Sequence, residues 1–147
     1  MIFVSITRLR LKSIVHFFPF FWYTLKSSRQ LTRESKFIKG KVLMDKKLTF
    51  WTLTLWLSEA DMRAYRNADE HKKAMPKLQY WCDEASIVHW HQEDADFPSW
   101  TEVHQRMQKE GRLSKVKNPS KDHSAFIIPA PRFPSKTEQT LFPKRRN

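Results

Sequence analysis

Thr49-Phe50-Trp51-Thr52-Leu53-Thr54-Leu55-Trp56-Leu57 runs directly into Ser58-Glu59-Ala60-Asp61, and that junction decides how the chain is read. The first nine residues are aromatic, Leu and Thr, a run too short for a buried helix and bounded by turn and capping chemistry, so they read as a strand. Side chains alternate across a strand, which puts Trp51, Leu53, Leu55 and Leu57 on one side and Phe50, Thr52, Thr54 and Trp56 on the other. Both sides carry bulky apolar groups. Such a strand must be covered above and below, as a central strand is. Ser58 is a natural N-cap, with Asp61 at the capping-box position and Glu59 and Asp61 suited to the positive end of a helix dipole.

Outward from this junction the pattern is regular. Asp45-Lys46-Lys47 is a polar turn that joins the central strand to a preceding strand, Phe37 to Met44, as an antiparallel hairpin. Gly40 inside that strand marks a bulge or a close backbone contact. Ile2 to Leu11 reads as a first strand, with Arg8 and Arg10 on the side of Ile6, so that this side is expected to emerge into water at the strand's end. Pro19 suits the first turn of a helix reaching about Arg33, with Phe18, Phe21, Trp22 and Leu25 as its expected buried stripe. A second helix runs from Ser58 towards Cys82, its apolar face carrying Ala64, Ala68, His71, Met75, Leu78 and Cys82, and Pro76 is expected to kink or restart it. Ala85 to Gln92 is a fourth strand, and Ser99 with Glu102 caps a short helix that ends at Gly111.

The order strand, helix, strand, strand, helix, strand is the split βαβ arrangement, an α+β fold of ferredoxin-like type with a four-stranded antiparallel sheet. Residues 1–111 form this domain with its added helix; residues 112–147 hold five of the eight prolines and form a basic tail expected to be mostly irregular. Two helices cover one face of a four-stranded sheet. The second face is therefore expected to stack on another copy, which makes the chain a homodimer.

Composition excludes several functions. Two glycines, Gly40 and Gly111, cannot build a Gly-rich phosphate loop, and the single Cys82 allows neither an internal disulfide nor a CxxC metal knuckle, fitting a reducing, cytoplasmic setting. The formal charge of +12 is uneven: 11 Lys/Arg face 2 Asp/Glu in residues 1–48, 7 face 11 in residues 49–111, and 9 face 2 in residues 112–147. The basic excess is spread over the first third and the tail rather than on one docking element, so nucleic acid is not an expected partner. Ile14 to Leu25 is strongly apolar, but it is shorter than a membrane span and contains His16 and Pro19, so no transmembrane segment is expected.

The segment TFWTLTLWLSEADMRAYRNADEHKKAMPKLQYWCDEASIVHW, with the TRLRL opening and the later GR.SKV..PS..H, resembles the dimeric α/β-barrel superfamily. Within it the likeness is to small bacterial antibiotic-biosynthesis-monooxygenase-like or spheroidene-monooxygenase-like proteins, over about residues 5 to 123. The resemblance implies a monooxygenase-like enzyme or a ligand-binding protein, with no cofactor demanded. The superfamily also includes haem-degrading enzymes, isomerases and dehalogenating proteins, and its resemblance transfers no catalytic residue.

His71, on the apolar helix face near Met75, is the expected catalytic base beside a pocket between helices and sheet. Trp22, Trp51, Trp56 and Trp81 are the expected ligand-binding residues, lining that pocket for a small apolar or aromatic molecule, although core packing alone also accounts for indoles in a small sheet-helix domain. His89 and His91 share one strand side with Glu93, a pattern able to hold a divalent metal if a third ligand converged; no metal is expected. Cys82 reads as a buried structural thiol. The competing reading is a non-catalytic dimeric scaffold or ligand-binding protein whose basic regions meet an anionic partner.

Overall fold

The computed structural model describes residues 1–132 and 137–144. Its first strand, β1, is Ile2–Leu11, followed by a 3-10 turn at Ile14–His16 and helix α1 at Phe17–Arg33. Strands β2 (Phe37–Asp45) and β3 (Thr49–Trp56) form the expected hairpin, then α2 (Glu59–Arg66), α3 (Asp69–Trp81) and β4 (Cys82–Gln92) complete the ferredoxin-like core. Beyond it lie α4 (Trp100–Glu110), β5 (Arg112–Leu113), α5 (Lys121–Ser124) and β6 (Glu138–Leu141). All the strand pairs are antiparallel, in the order β5-β4-β1-β3-β2-β6. The sheet is thus six-stranded. The tail, expected to be mostly irregular, contributes both edge strands and a short helix, while its residues 133–136 and 145–147 lie outside the described residues.

Two capping serines act as the sequence indicates. Ser58 Oγ accepts the Asp61 N–H at 3.2 Å and donates to the Asp61 carboxylate at 2.6 Å; Ser99 Oγ accepts the Glu102 N–H at 3.1 Å. The expected single helix after Ser58 is two, and the break falls at Asn67 and Ala68 rather than at Pro76, which sits inside α3. Gln30 of α1 makes that break tolerable: its Nε2 donates to the carbonyls of Tyr65 and Ala68, and its Oε1 accepts the His71 N–H at 2.9 Å. Freed carbonyls are thereby satisfied by a side chain from another helix. At Gly40 an added Cβ would lie 2.7 Å from the Leu53 carbonyl oxygen, so the glycine serves a close cross-strand approach.

On the helix side of the sheet, Phe3, Phe37 and Trp56 pack with Leu31, Met62 and Tyr65, while Leu11, Cys82 and Ala85 pack with Phe20, Leu78 and Trp81. On the opposite side, Val4, Ile6, Leu43, Trp51, Leu53, Leu55, Val88 and Trp90 pack under Trp100, Val103 and Met107 of α4 and under Ile128. The second face is therefore buried within one chain, and the stacking of two sheets that was expected to cover it is replaced by α4 and the segment after α5. Arg8, expected to emerge into water, is 4% exposed on this face and pairs with Glu84 at 2.9 Å.

The stripe of α1 facing the sheet is also not the expected one. Phe20 and Leu31 are buried, whereas Phe18 (77% exposed), Phe21, Trp22 (58%) and Leu25 face outward.

Met107→Ala tests whether α4 is an integral cover. The methionine is fully buried against the sheet, so truncation is expected to cost ~2–5 kcal/mol in urea unfolding, against little change if α4 were loosely attached.

Candidate functional site

Two apolar clusters occupy the ends of the helix-facing side of the sheet, and the middle is polar. Strand alternation places Ser5 and Thr7 of β1, Thr52 and Thr54 of β3 and His89 of β4 on this side, together with Phe3, Phe50 and Trp56. They are cross-strand neighbours: Ser5 is opposite both Thr54 and His89, and Thr7 is opposite Thr52. Thr54 Oγ1 donates to the Ser5 carbonyl at 3.3 Å. Above this belt, Phe20, Thr24, Ser27 and Leu31 of α1 recur at helical spacing on one stripe, apolar at its ends and small and polar in its middle. Thr7 and Thr52 sit mid-strand on the two innermost strands, beneath helices, yet both remain partly exposed. Hydroxyls thus occupy the middle of this side of the sheet, between two clusters rich in aromatic rings.

At the α2 end of this belt the side chains form a run of rings. Phe3 contacts the His89 and His91 rings, each at 5.2 Å; Trp56 contacts Tyr65 at 5.3 Å; and Tyr65 contacts His71 at 4.7 Å. The Tyr65 hydroxyl donates to the Ser27 carbonyl at 3.1 Å, which ties α2 to α1. Burial pushes the Tyr65 phenol well above its ordinary value.

Each residue expected to form a site now has a place. His71 stands in the first turn of α3, its Nδ1 3.2 Å from the Arg66 carbonyl and its backbone N–H held by Gln30. Desolvation lowers its pKa below the usual imidazole value despite the hydrogen bond to Arg66. Trp56 is buried in the helix-side cluster, and Trp81 packs near Tyr23 at 5.6 Å. Trp51 is buried on the opposite face, 6.4 Å from Trp100, and Trp22 lies on the outer surface of α1. The four indoles therefore do not converge on one cavity.

His89 and His91 do share a side, as the strand period requires, and His89 lies beside the hydroxyl belt. Its pKa is lowered, first by desolvation and then by Arg112, with Glu59 opposing. Among the described residues no group of three or more His, Cys, Asp or Glu side chains is placed to hold a metal ion. Cys82 is buried, and burial raises its thiol to about 12, which makes it a poor nucleophile. Gln30, Thr24 and Ser27 are the site-forming residues that the sequence pattern did not reveal.

No family model matches the chain, and none of the curated proteins does. Its fold does have solved counterparts. A putative antibiotic biosynthesis monooxygenase from Nitrosomonas europaea superposes with a TM-score of 0.57 at 15% identity, covering 65% of this chain and 94% of that one. The chain has the fold of proteins described as antibiotic biosynthesis monooxygenases. SnoaB from Streptomyces nogalater, a cofactor-independent oxygenase, matches with a TM-score of 0.52 at 11% identity over 67% of this chain and 98% of its own. Rv0793 from Mycobacterium tuberculosis gives 0.59 at 6%, over 66% and 100%. These neighbours are spanned almost whole, while about a third of this chain falls outside the match. At such identities the likeness carries the fold and no residue role.

His71 and His89 together set an acid-side sensitivity. Both folded-state pKa values lie below the ordinary imidazole value, so between that value and the folded one the unfolded chain binds more protons. Stability is then fully present above about pH 6.5 and declines as pH falls below it. The melting temperature followed from about pH 7.5 to about pH 5 is expected to drop, with a shallower slope in His71→Gln; an equally steep slope in that variant would remove His71 as a source.

Proposed function

We propose that the chain is a monooxygenase-like enzyme that binds a small hydroxylated aromatic molecule in a cleft between α1 and the sheet. The observation that carries this reading is the partly exposed hydroxyl belt of Thr7 and Thr52 between two aromatic clusters. Ring faces suit the flanking clusters, and phenol or carbonyl oxygens suit the hydroxyls, which donate and accept with equal ease. His89 is the base favoured by position. It adjoins Ser5 in the belt, and its lowered pKa keeps it neutral and able to accept a proton near neutral pH. His71, with its ring packed on Tyr65 and held at the Arg66 carbonyl, fits better as a support of the α2–α3 break.

The chemistry asked of the protein would be limited. His89 removes a proton from an acidic position of the electron-rich ring, and the carbanion, shielded from water, reacts with molecular oxygen. The substrate itself is the reductant: a ring methylene becomes a carbonyl with one oxygen atom, and the second oxygen atom leaves as water with the two hydrogens. The oxygenase named among the fold neighbours supports this class of reaction, although fold alone does not license it.

Calorimetric titration with a panel of tricyclic phenols, coupled to oxygen-electrode measurements, tests the assignment. Thr52→Leu fills the belt and is expected to weaken binding by about tenfold, or about 1.4 kcal/mol. His89→Gln is expected to retain binding and lose most oxygen uptake. Wild-type affinity in Thr52→Leu would sink the cleft, and full uptake in His89→Gln would sink the base.

A homodimer is part of the proposal, but its surface changes. With the sheet's second face taken by α4, the outward aromatic face of α1, with Phe18, Phe21, Trp22 and Leu25, is the apolar surface left for a second copy. Sedimentation is expected to give a dimer in the wild type and a monomer in Trp22→Glu; a wild-type monomer at micromolar concentration would remove the dimer.

A further inference from the structure

On the opposite side of the sheet from the hydroxyl belt, a cavity of about 330 Å³ lies between the ends of β1 and β3, the β2–β3 turn and the segment that follows α5. Arg8, Arg10, Thr49 and Glu84 form its floor, Lys46 and Lys47 its rim, and Pro129, Ala130 and Arg132 its roof. The roof is anchored at several points. The His104 ring meets the Ile128 carbonyl at 2.7 Å, the Arg132 N–H donates to Asp45 Oδ1 at 3.1 Å, and β6 pairs with β2 beyond it. The cavity is partly open to solvent, and the segment over it is held in place.

Its electrostatics are lopsided in a specific way. Glu84 is 2% exposed, and its carboxylate is already spent: Oε1 accepts from Arg8 at 2.9 Å, and Oε2 meets Arg10 at 3.1 Å and Ser120 Oγ at 2.9 Å. Asp45 Oδ1 accepts the backbone N–H groups of Lys46 and Arg132. The acidic residues thus hold the walls, while the cations retain donors. A guanidinium has five N–H groups. Arg8 is nine-tenths buried or more, and its Nε has no hydrogen-bond partner among the described residues. Ser86 Oγ and Trp51 Nε1, on the cross-strand partners of Arg8, are likewise buried without a partner, as are Trp56 Nε1 and Trp100 Nε1, but of these residues only Arg8 lines the cavity. Buried donors left without acceptors are rare in folded proteins and point to a missing acceptor. The turn that presents Lys46 and Lys47 is itself strained, with Lys47 and Leu48 both at φ +56°.

We propose that this cavity is a second binding site, for a small organic anion that presents a carboxylate or phosphate group to Arg8, with Lys46, Lys47 and Arg132 closing around its charge. Among the described residues five cationic side chains line the cavity against three carboxylates; Glu84 and Asp45 are engaged, and Arg10 is itself paired with Asp83 at 2.7 Å. The volume, at the low end for ligand pockets, suits a molecule of dicarboxylate or sugar-phosphate size. The site is independent of the cleft: it lies on the other face of the sheet, under elements that follow β4.

Thermal-shift and calorimetric titrations with inorganic phosphate and with succinate, at constant ionic strength set with chloride, test it. In the wild type at least one of the two is expected to bind saturably and raise the melting temperature, and which one does so distinguishes a phosphate from a carboxylate ligand. Arg8→Met removes the central donor but also strips Glu84 of its buried partner and risks misfolding. The triple variant Lys46→Ala, Lys47→Ala, Arg132→Ala changes exposed positions only and is expected to weaken binding at least about tenfold with unchanged circular dichroism. Thr52→Leu, in the cleft, is expected to leave anion binding untouched. No saturable binding of either anion to the wild type, or equal affinity in the triple variant, would overturn the proposal.

Discussion

Burial of β3 on both faces is the constraint from which the rest of the architecture follows. Trp51, Leu53 and Leu55 are inaccessible on one side, and Trp56 is inaccessible on the other. A strand with two apolar faces cannot lie at a surface, and a ferredoxin-like core of two helical layers' worth of residues on one side leaves the other bare. This chain resolves the problem by itself. Trp100, Val103 and Met107 come from α4, and Ile128 comes from the chain beyond α5. The share of the chain outside the match to the fold neighbours, about a third, is close in size to the portion that follows β4. A covered second face also removes the energetic need for a sheet-to-sheet partner.

Legibility of the fold in the sequence tracked how local its causes are. The limits of β1, the β2–β3 hairpin and α4 followed from period-two alternation, turn residues and serine caps, all of which act within a few residues. The helix break at Asn67 and Ala68 did not, because the side chain that makes it affordable, Gln30, is far away in sequence and looks like an ordinary polar residue of α1. Pro76, the residue with the strongest local breaking signal, is accommodated within α3. The edge strands β5 and β6 were equally opaque. They are two and four residues long and exist through pairing with β4 and β2, not through any pattern of their own.

The orientation of α1 shows how a hydrophobicity argument can select the wrong face of a helix. Phe18, Phe21, Trp22 and Leu25 make the more apolar stripe, and a search for the buried face selects it. The stripe that meets the sheet is Phe20, Thr24, Ser27 and Leu31, less apolar because its middle lies over the hydroxyl belt rather than against packed side chains. The aromatic residues expected to line a pocket were drawn from composition, and composition could not separate Trp51 from Trp56, which the strand period alone places on opposite faces. His89 was readable as one of a same-sided histidine pair. Its nearness to Ser5 needed the register between β1 and β4.

Arg8 carries the strongest argument that the second face does more than complete a core. A sheet face covered by one's own helix is most simply built from apolar residues, and exchanging a buried ion pair for apolar residues of similar volume is often neutral or stabilising. Here β1 places Arg8 and Arg10 in line with Val4 and Ile6, and β4 answers with Glu84, so charged residues occupy the half of the face nearest the β2–β3 turn. Pairing alone would account for Arg8 if its guanidinium were saturated, and it is not, because Nε remains buried without an acceptor among the described residues. A purely structural pair would also leave no reason for an open volume beside it. The combination of an unsaturated buried arginine, a committed carboxylate and an anchored roof is the arrangement expected where an anion from solution completes the network, which makes the extension past β4 both the lid of the core and the wall of a site.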